Sequence, residues 1–589
     1  MTNRWSRRTW LQVSGTSILA GGLHSAGLGR RCLGELSPRP SDSRSSPTSR
    51  TAQGRGVAAT VHPIATDAAV AMLELGGSAV DAAIAAGLCL GVVDGHNSGL
   101  GGGCFFLIYH EPQGAVAIDG REEAPGAATR DMFLEGGKAN GRKSQTGPLA
   151  SGIPGQLAAM EEAHRRFGKL PWKTLFDPAI QVAHQGFCVG PATAQAIQSE
   201  AADLAQDPTS ARLLLPGGKP LTVGQRLLQP ELAQTLRHLA EEGSSYFYRG
   251  PFAAACCKAL GDSGGIMTMA DMDRYRAIER RAIGWRYRDQ TLYGFPPPSS
   301  GGLHIAQMLQ MLERFPLAQM HTEDPVRFYH VVVEAMKLAF ADRAHWLGDP
   351  DFVRVPAGLV DPKYCRSLSE EISLDRATEV AGHATPDDLT ESFENRKHTT
   401  HLTTVDSQGM WVAMTATINT TWGSKVMIPG TGVMMNNEMD DFSIQPGIPN
   451  AFGLVGAEAN SVAAGKRPLS SMSPTIVCDP SGKAIYTCGA AGGPKIISAT
   501  LLNLLRGIDL GMSIDAALAA PRIHHQWRPD RTEIEAHMPR SISEGLASMG
   551  HTTRIVRHLA TAQGAQAVPM GVRAASDPRS FGRAQSSRS

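Results

Sequence analysis

The chain has 589 residues, 42% hydrophobic and 19% charged, which excludes a disordered polypeptide and leaves enough apolar mass for a substantial core. Fifty-six basic and 55 acidic side chains give a formal net charge of +1, so the whole chain carries no electrostatic footprint for nucleic acid and a small ligand is expected. The 9 cysteines form no C-x-x-C pair and no zinc-like spacing; an odd total argues against a complete disulfide framework, and most are expected to be buried, reduced thiols.

Taken in chain order, Ser6-Arg7-Arg8-Thr9-Trp10-Leu11 precedes a mildly apolar, glycine-rich stretch. That pattern predicts a twin-arginine export signal over residues 1–29 and a periplasmic or extracellular destination. Residues 30–55 are rich in Ser, Pro and Arg and predict a linker, so folding is expected to begin near Gly56. Pro63 opens a helix that Gly76-Gly77 stops, and Ser78 followed by Asp81 is an N-cap for the next. The apolar run 82–93 is far shorter than the roughly 20 residues of a membrane-spanning helix and predicts a buried one. Further helices are predicted over 157–167, 230–242, 303–312 and 326–347, making the first two-thirds mainly helical. After Glu391 the pattern changes: 400–405 and 410–418 flank Asp406-Ser407-Gln408-Gly409 and predict a β-hairpin. Extended segments at 476–477 and 484–488 and a helix over 496–510 complete a mixed α and β unit.

A threonine hydroxyl inside a chain is a weak nucleophile. A threonine with a free α-amino group carries its own base, of ordinary pKa about 7.7 to 8.0, so cleavage before such a residue creates a catalyst. The string Thr399-Thr400-His401-Leu402-Thr403-Thr404-Val405-Asp406 resembles the start of the small subunit of gamma-glutamyltransferases. The likeness continues through Asn419-Thr420-Thr421-Trp422-Gly423, Asn436-Asn437-Glu438-Met439-Asp440-Asp441-Phe442 and Lys466-Arg467-Pro468-Leu469-Ser470-Ser471-Met472-Ser473. It includes Leu100-Gly101-Gly102-Gly103, Arg121-Glu122-Glu123-Ala124-Pro125, the 296–302 loop and Ala575-Ser576-Asp577-Pro578-Arg579 near the C-terminus.

The resemblance implies a four-layer αββα N-terminal-nucleophile hydrolase sandwich in the α/β class. It implies a large subunit, 56–398, and a small subunit, 399–589, that stay together as a heterodimer after self-cleavage. Thr399 is the implied nucleophile and Thr417 the residue that orients it. A hairpin turn centred near Ser407 and Gln408 pairs Thr399 with Ala416, or with Thr417 if the turn holds one extra residue. Arg121 would grip a substrate α-carboxylate with Ser470 and Ser471, and Asn419, Glu438 and Asp441 would receive the α-ammonium. Gly492 and Gly493 would supply oxyanion-hole N–H groups. The implied partners are glutathione and other gamma-glutamyl compounds, with water or amino acids as acceptors; no cofactor and no membrane span are implied. Metal is not expected at His524-His525, since adjacent strand histidines point apart and no third ligand follows. Gly101-Gly102-Gly103 lacks the Lys-Ser or Lys-Thr of a phosphate loop.

Three departures stand out. Ala490-Ala491-Gly492-Gly493-Pro494-Lys495 replaces the Ser-Pro-Gly-Gly-Ser-Arg usual in bacterial relatives, Phe452 occupies a lid position where tyrosine is common, and Asp94-Gly95-His96-Asn97-Ser98-Gly99 lacks the usual proline. Two alternatives stay open: an acylase for a different acyl group, and an uncleaved, non-catalytic binder of gamma-glutamyl compounds.

Overall fold

The computed structural model describes residues 49–111, 113–387 and 400–588. Thr399, the export segment, residues 30–48 of the linker and Cys32 lie outside the described residues.

Two seven-stranded sheets dominate. Their strands are β1 (Thr51–Gly54), β2 (Val57–Thr60), β3 (Gly103–His110), β4 (Gly114–Gly120), β5 (Ile278–Arg281), β6 (Ile283–Tyr287) and β7 (Gln290–Gly294). After residue 400 come β8 (His401–Val405), β9 (Trp411–Thr417), β10 (Thr475–Cys478), β11 (Ala484–Ala491), β12 (Thr561–Val568), β13 (Gly571–Ser576) and β14 (Arg583–Ser586). One sheet runs β1-β13-β12-β11-β10-β7-β6 and the other β14-β2-β8-β9-β3-β4-β5. Each therefore interleaves strands from before residue 388 with strands from after residue 400.

The sheets pack face to face over Phe105, Phe295, Met472, Ile476 and Ala565, with the Phe105 and Phe295 rings stacked at 3.8 Å between centroids. On the outer face of the second sheet, α1 (Pro63–Glu74) and α2 (Ala79–Val93) cover Phe106, Ile108 and Met414. On the outer face of the first, α3 (Gly301–Leu312), α4 (Pro325–Trp346) and α5 (Lys495–Ile508) cover Leu292, Val477 and Tyr486. Helix, sheet, sheet, helix is the expected αββα sandwich.

The predicted start of α2 is realised as a reciprocal cap: Asp81 N–H donates to Ser78 Oγ at 3.1 Å and Ser78 N–H to Asp81 Oδ2 at 2.8 Å. One expectation needs correction and one needs refinement. The linker ends earlier than residue 55, because Thr51–Gly54 pairs with Val572 to Ala575 as an edge strand. The first two-thirds is mainly helical, as expected, but its strand content is larger than the pattern implied, since it supplies β1 to β7. β3 reads Gly-Cys-Phe-Phe-Leu-Ile-Tyr-His and shows no alternation, because Phe105 faces the other sheet while Phe106 faces the helices. Among the described cysteines six are buried, Cys257 is half-buried and Cys188 is exposed.

Candidate active site

The β8–β9 hairpin pairs His401 with Thr415 and Val405 with Trp411, leaving Asp406 to Met410 as a five-residue turn. Asp406 organises it: its Oδ1 accepts from Gln408 N–H at 2.9 Å and Met410 N–H at 3.1 Å. This is the longer-turn register. Beyond His401, Ala416 N–H donates to the Thr400 carbonyl, and Thr417 is the next residue along β9. His401 is buried between Thr415 Oγ1 at 3.1 Å and Thr403 Oγ1 at 3.2 Å, and burial pushes its pKa down to about 3, so it stays neutral.

Thr417 Oγ1 accepts the N–H of Asn419 at 2.7 Å, which holds Asn419 in a left-handed conformation, φ 75°. Asn419 Nδ2 then donates to the Asn437 carbonyl at 3.0 Å. The unusual loop after α2 supports this turn from outside: the Asn97 carbonyl accepts from Ile418 N–H at 3.1 Å and that of His96 from Trp422 N–H at 3.0 Å. The triple glycine also has a steric cause, because a Cβ on Gly102 would overlap the Thr417 carbonyl oxygen.

Arg121 follows β4 directly and is fully buried. Its guanidinium bonds Glu438, Asp441 Oδ2 at 2.9 Å and Glu122 Oε2 at 3.1 Å. Three of the residues selected from sequence thus form one cluster, in which a single cation faces three carboxylates. Burial pushes Glu438 up to about 7 against the pull of Arg121, and burial likewise raises Glu122. Glu122 Oε1 and Glu438 Oε2 are buried without a described partner. The adjacent Glu123 secures the frame by pairing with Arg467, whose Nη1 also reaches Asp119 Oδ1 at 3.2 Å.

Ser470 and Ser471 are buried beside the 296–302 loop, where Ser300 N–H donates to the Ser470 carbonyl at 3.0 Å. Sequence reasoning missed the residue that joins them to the cluster. Arg343, on α4, donates from Nε to Ser300 Oγ at 2.9 Å, and from Nη2 to Ser471 Oγ at 3.3 Å and the Ser470 carbonyl at 3.4 Å. These acceptors are all neutral oxygens, and burial pulls Arg343 down to about 10. Arg343 and Asp441 line one small cavity with Asn450, Leu454 and Asn460. An arginine inside the apolar run of a long buried helix was the available signal.

Gly492 and Gly493 lie between β11 and α5 with φ of 138° and 60°. Among the described residues neither N–H donates to a carbonyl or side chain, so both are available to an anion. Phe452 packs on Gly493, and its loop is built on Asn450, whose Oδ1 accepts from Phe452 and Leu454 N–H at 3.1 Å each. Asn450 Nδ2 reaches Asp441 Oδ1 at 3.3 Å, tying the lid to the acidic cluster.

The His524-His525 pair has other duties. His524 bonds Ser498 Oγ at 2.7 Å and Gln526 Oε1 at 2.9 Å, and His525 meets Asp530 Oδ1 at 3.1 Å. The described residues hold one buried group with metal-like spacing, His330, Glu334 and His551. Glu334 there is already paired with Lys337 Nζ at 2.9 Å, and His330 Nε2 faces the Ser373 carbonyl at 2.7 Å. No described helix is long and apolar enough to cross a membrane.

Comparison with known proteins gives the family. The family model for gamma-glutamyltranspeptidase matches residues 65–587. The glutathione hydrolase proenzyme of Escherichia coli K12 is 39% identical over 532 residues, 89% of this chain and 90% of that protein. Among solved structures, cephalosporin acylase from Bacillus halodurans superimposes with a TM-score of 0.81 at 26% identity, covering 94% of this chain and 99% of that one. Helicobacter pylori gamma-glutamyltranspeptidase gives a TM-score of 0.54 at 33% identity over 56% of this chain and 94% of that one. With the family model spanning most of its length, this chain belongs to the gamma-glutamyltranspeptidase family.

Proposed function

We propose that this protein is a self-processing gamma-glutamyltransferase and glutathione hydrolase. It cleaves gamma-glutamyl amides through a gamma-glutamyl-threonine acyl-enzyme and passes the group to water or an amino acid. The observation that carries the reading is the juxtaposition of Arg121, Glu438 and Asp441 in one buried ionic cluster. A site that holds both signs, with carboxylates in excess, suits the head of a free amino acid.

In this reading, cleavage before Thr399 gives fragments 56–398 and 399–589 that remain a heterodimer. The hairpin register supports the role of Thr417: carried two positions past His401 and Thr415, it makes Thr417 the counterpart of position 399. The Thr399 α-amine takes the proton of its own hydroxyl as the oxygen attacks the gamma-amide carbon. The N–H groups of Gly492 and Gly493 receive the oxyanion, and the departing amine leaves with the proton. Water or an amine then enters, loses a proton to the same α-amine and takes the acyl group, while the departing Thr399 oxygen receives that proton back. Arg121, Ser470 and Ser471 bind the α-carboxylate. Asn419, Glu438 and Asp441 bind the α-ammonium, whose charge offsets the surplus of carboxylates around Arg121. The paired arginines near the N-terminus fit export of the folded protein to the periplasm or medium.

Intact-mass measurement with N-terminal sequencing tests the reading. The smaller fragment is expected to begin Thr-Thr-His, and Thr399→Ala is expected to abolish both cleavage and turnover of gamma-glutamyl-p-nitroanilide. A wild-type chain that stays single and inactive would refute it. A second reading, an acylase for another dicarboxylic acyl group, is favoured by the fold similarity to cephalosporin acylase and by Phe452 in the lid. Turnover of a glutaryl amide in preference to the gamma-glutamyl amide would select it.

A further inference from the structure

The two glycines between β11 and α5 are backed by different residues. A Cβ on Gly493 would meet the ring of Phe452, and Gln526 holds that residue by donating to the carbonyls of Phe452 at 3.3 Å and Gly453 at 3.0 Å. A Cβ on Gly492 would instead lie 2.9 Å from Ala560 Cα and 3.1 Å from Ala560 Cβ. Ala491 pairs with Thr561, so Gly492 and Ala560 are the residues just beyond the paired ends of β11 and β12. Ala560 is not glycine, yet its φ is 61°. A left-handed alanine crowds its own Cβ against the following carbonyl oxygen and persists only where its surroundings impose the conformation.

A buried ionic frame imposes it here. Arg522 Nη1 donates to the carbonyls of Leu559 at 3.1 Å and Ala560 at 3.2 Å, so one guanidinium grips both peptide planes that meet at Ala560 Cα. Leu559 N–H donates to Glu535 Oε1 at 2.8 Å and Ala562 N–H to Asp577 Oδ2 at 2.9 Å. Arg522 Nη2 reaches the same Asp577 oxygen at 2.7 Å, and Arg579 joins Asp577 Oδ1 at 3.0 Å to Glu535 Oε1 at 2.7 Å. Two arginines thus balance two carboxylates, unlike the cluster around Arg121. Asp577 and Arg579 belong to the Ala575–Arg579 string, for which the proposed chemistry has no other use.

We propose that Ala560 is a positioning residue for the oxyanion turn, held left-handed against Gly492 by the frame of Arg522, Asp577, Arg579 and Glu535. The N–H groups of Gly492 and Gly493 lie on the two peptide planes that pivot at Gly492 Cα, where no side chain limits the pivot. Ala560 supplies that limit from outside, because its Cα and methyl occupy the space into which the turn would otherwise move. It acts through Gly492 and not on the substrate. The inference rests on the reading in which these two N–H groups receive the oxyanion.

Ala560→Gly provides the test, since it removes the methyl while glycine adopts the same φ without strain. Its kcat on gamma-glutamyl-p-nitroanilide is expected to fall about fivefold, a fraction of the 10²- to 10³-fold that one oxyanion donor supplies, with KM unchanged. Its thermal midpoint is expected to be no lower than that of wild type. Ala560→Ser keeps a β-carbon and is expected to match wild type in kcat. Fragment formation is followed for each variant, so that rates refer to processed chains. A wild-type kcat in Ala560→Gly, or an equal fall in Ala560→Ser, overturns the proposal and leaves the gamma-glutamyl reading standing. A fall in kcat that comes with a lower midpoint also overturns it and makes the residue structural only. A wild type inert toward gamma-glutamyl-p-nitroanilide removes the gamma-glutamyl reading, and this proposal falls with it.

Discussion

The ring of Phe452 rests against the backbone of Gly493: a Cβ built on the glycine would lie 2.7 Å from Phe452 Cδ1. Where a tyrosine would close the lid with a hydroxyl, this chain closes it with an aromatic contact and the Gln526 amide. Gly493→Ala should therefore suffer twice, from the clash and from a left-handed φ that costs a non-glycine residue about 1 to 2 kcal/mol. The expected loss in kcat on gamma-glutamyl-p-nitroanilide is about 10²- to 10³-fold, the range for a lost oxyanion donor. Phe452→Ala in the same chain should recover the steric part. Full activity of Gly493→Ala alone would remove this glycine from the oxyanion hole.

Thr417 supplies a hydroxyl that accepts the Asn419 N–H, and in the proposed mechanism it orients the nucleophile. Thr417→Val keeps the shape and removes the oxygen. Fragment formation, followed on denaturing gels after synthesis, should slow by at least about tenfold, the scale of one buried hydrogen bond left unmade. Thr417→Ser should process at close to the wild-type rate, and equal rates for Val and Ser would contradict the orienting role.

Arg343 separates function from stability. Its cation is hydrogen-bonded to neutral oxygens, and its desolvation is offset only in part by the nearby Asp441. Arg343→Met should raise KM for gamma-glutamyl donors about 10- to 100-fold by releasing Ser471. The thermal unfolding midpoint should not fall. A large drop in midpoint with unchanged KM would make the residue structural only.

The acidic cluster sets a pH dependence. Glu438 must be ionised to receive an ammonium, and burial pushes it up to about 7, so kcat/KM should rise with pH through that value. Glu438→Gln should lose this limb while keeping a lower plateau. The stability contribution has the opposite sign. A carboxyl held above its ordinary range favours the folded state at low pH, and that contribution is lost as pH climbs toward about 7. Relative to the Gln variant, wild type should thus lose thermal stability across the interval in which it gains activity.

Histidines that are buried or, at His62, half-buried act at lower pH. His304, His401 and His551 are pushed down to about 3, and His62, His96 and His524 to about 4, burial being the main cause in each. Their folded pKa values lie below the ordinary 6.5, so the stability they carry is present above that value and is lost as pH falls toward 3. Thermal midpoints measured from pH 7 down to 4 should decline, and less steeply in His401→Gln. An unchanged slope in that variant would show that the titration of His401 is not coupled to unfolding.

Much of this was legible in the sequence because the relevant signals are local. Pro63, the Gly76-Gly77 stop and the Ser78–Asp81 cap predicted two helices now seen at Pro63–Glu74 and Ala79–Val93. The hairpin was visible as two β-branched runs around a turn, although its register needed the five-residue loop that Asp406 builds. β3 and β4 were missed because strands buried on both faces lack the period-two signal on which reading them depends. Arg343 was missed because its partners come from the 296–302 loop and from Ser470 and Ser471, and no sequence spacing encodes that meeting.

The interleaving of the sheets bears on what happens once the chain is cut. β8 and β9 lie between β2 and β3, and β10 is hydrogen-bonded to β7, so the segments before residue 388 and after residue 400 complete each other's ladders. Before cleavage, refolding is unimolecular. Afterwards it requires two polypeptides to find one another at whatever dilution prevails. A processed enzyme would then hold its shape by slow unfolding more than by a reversible equilibrium, and heat inactivation would become a one-way event.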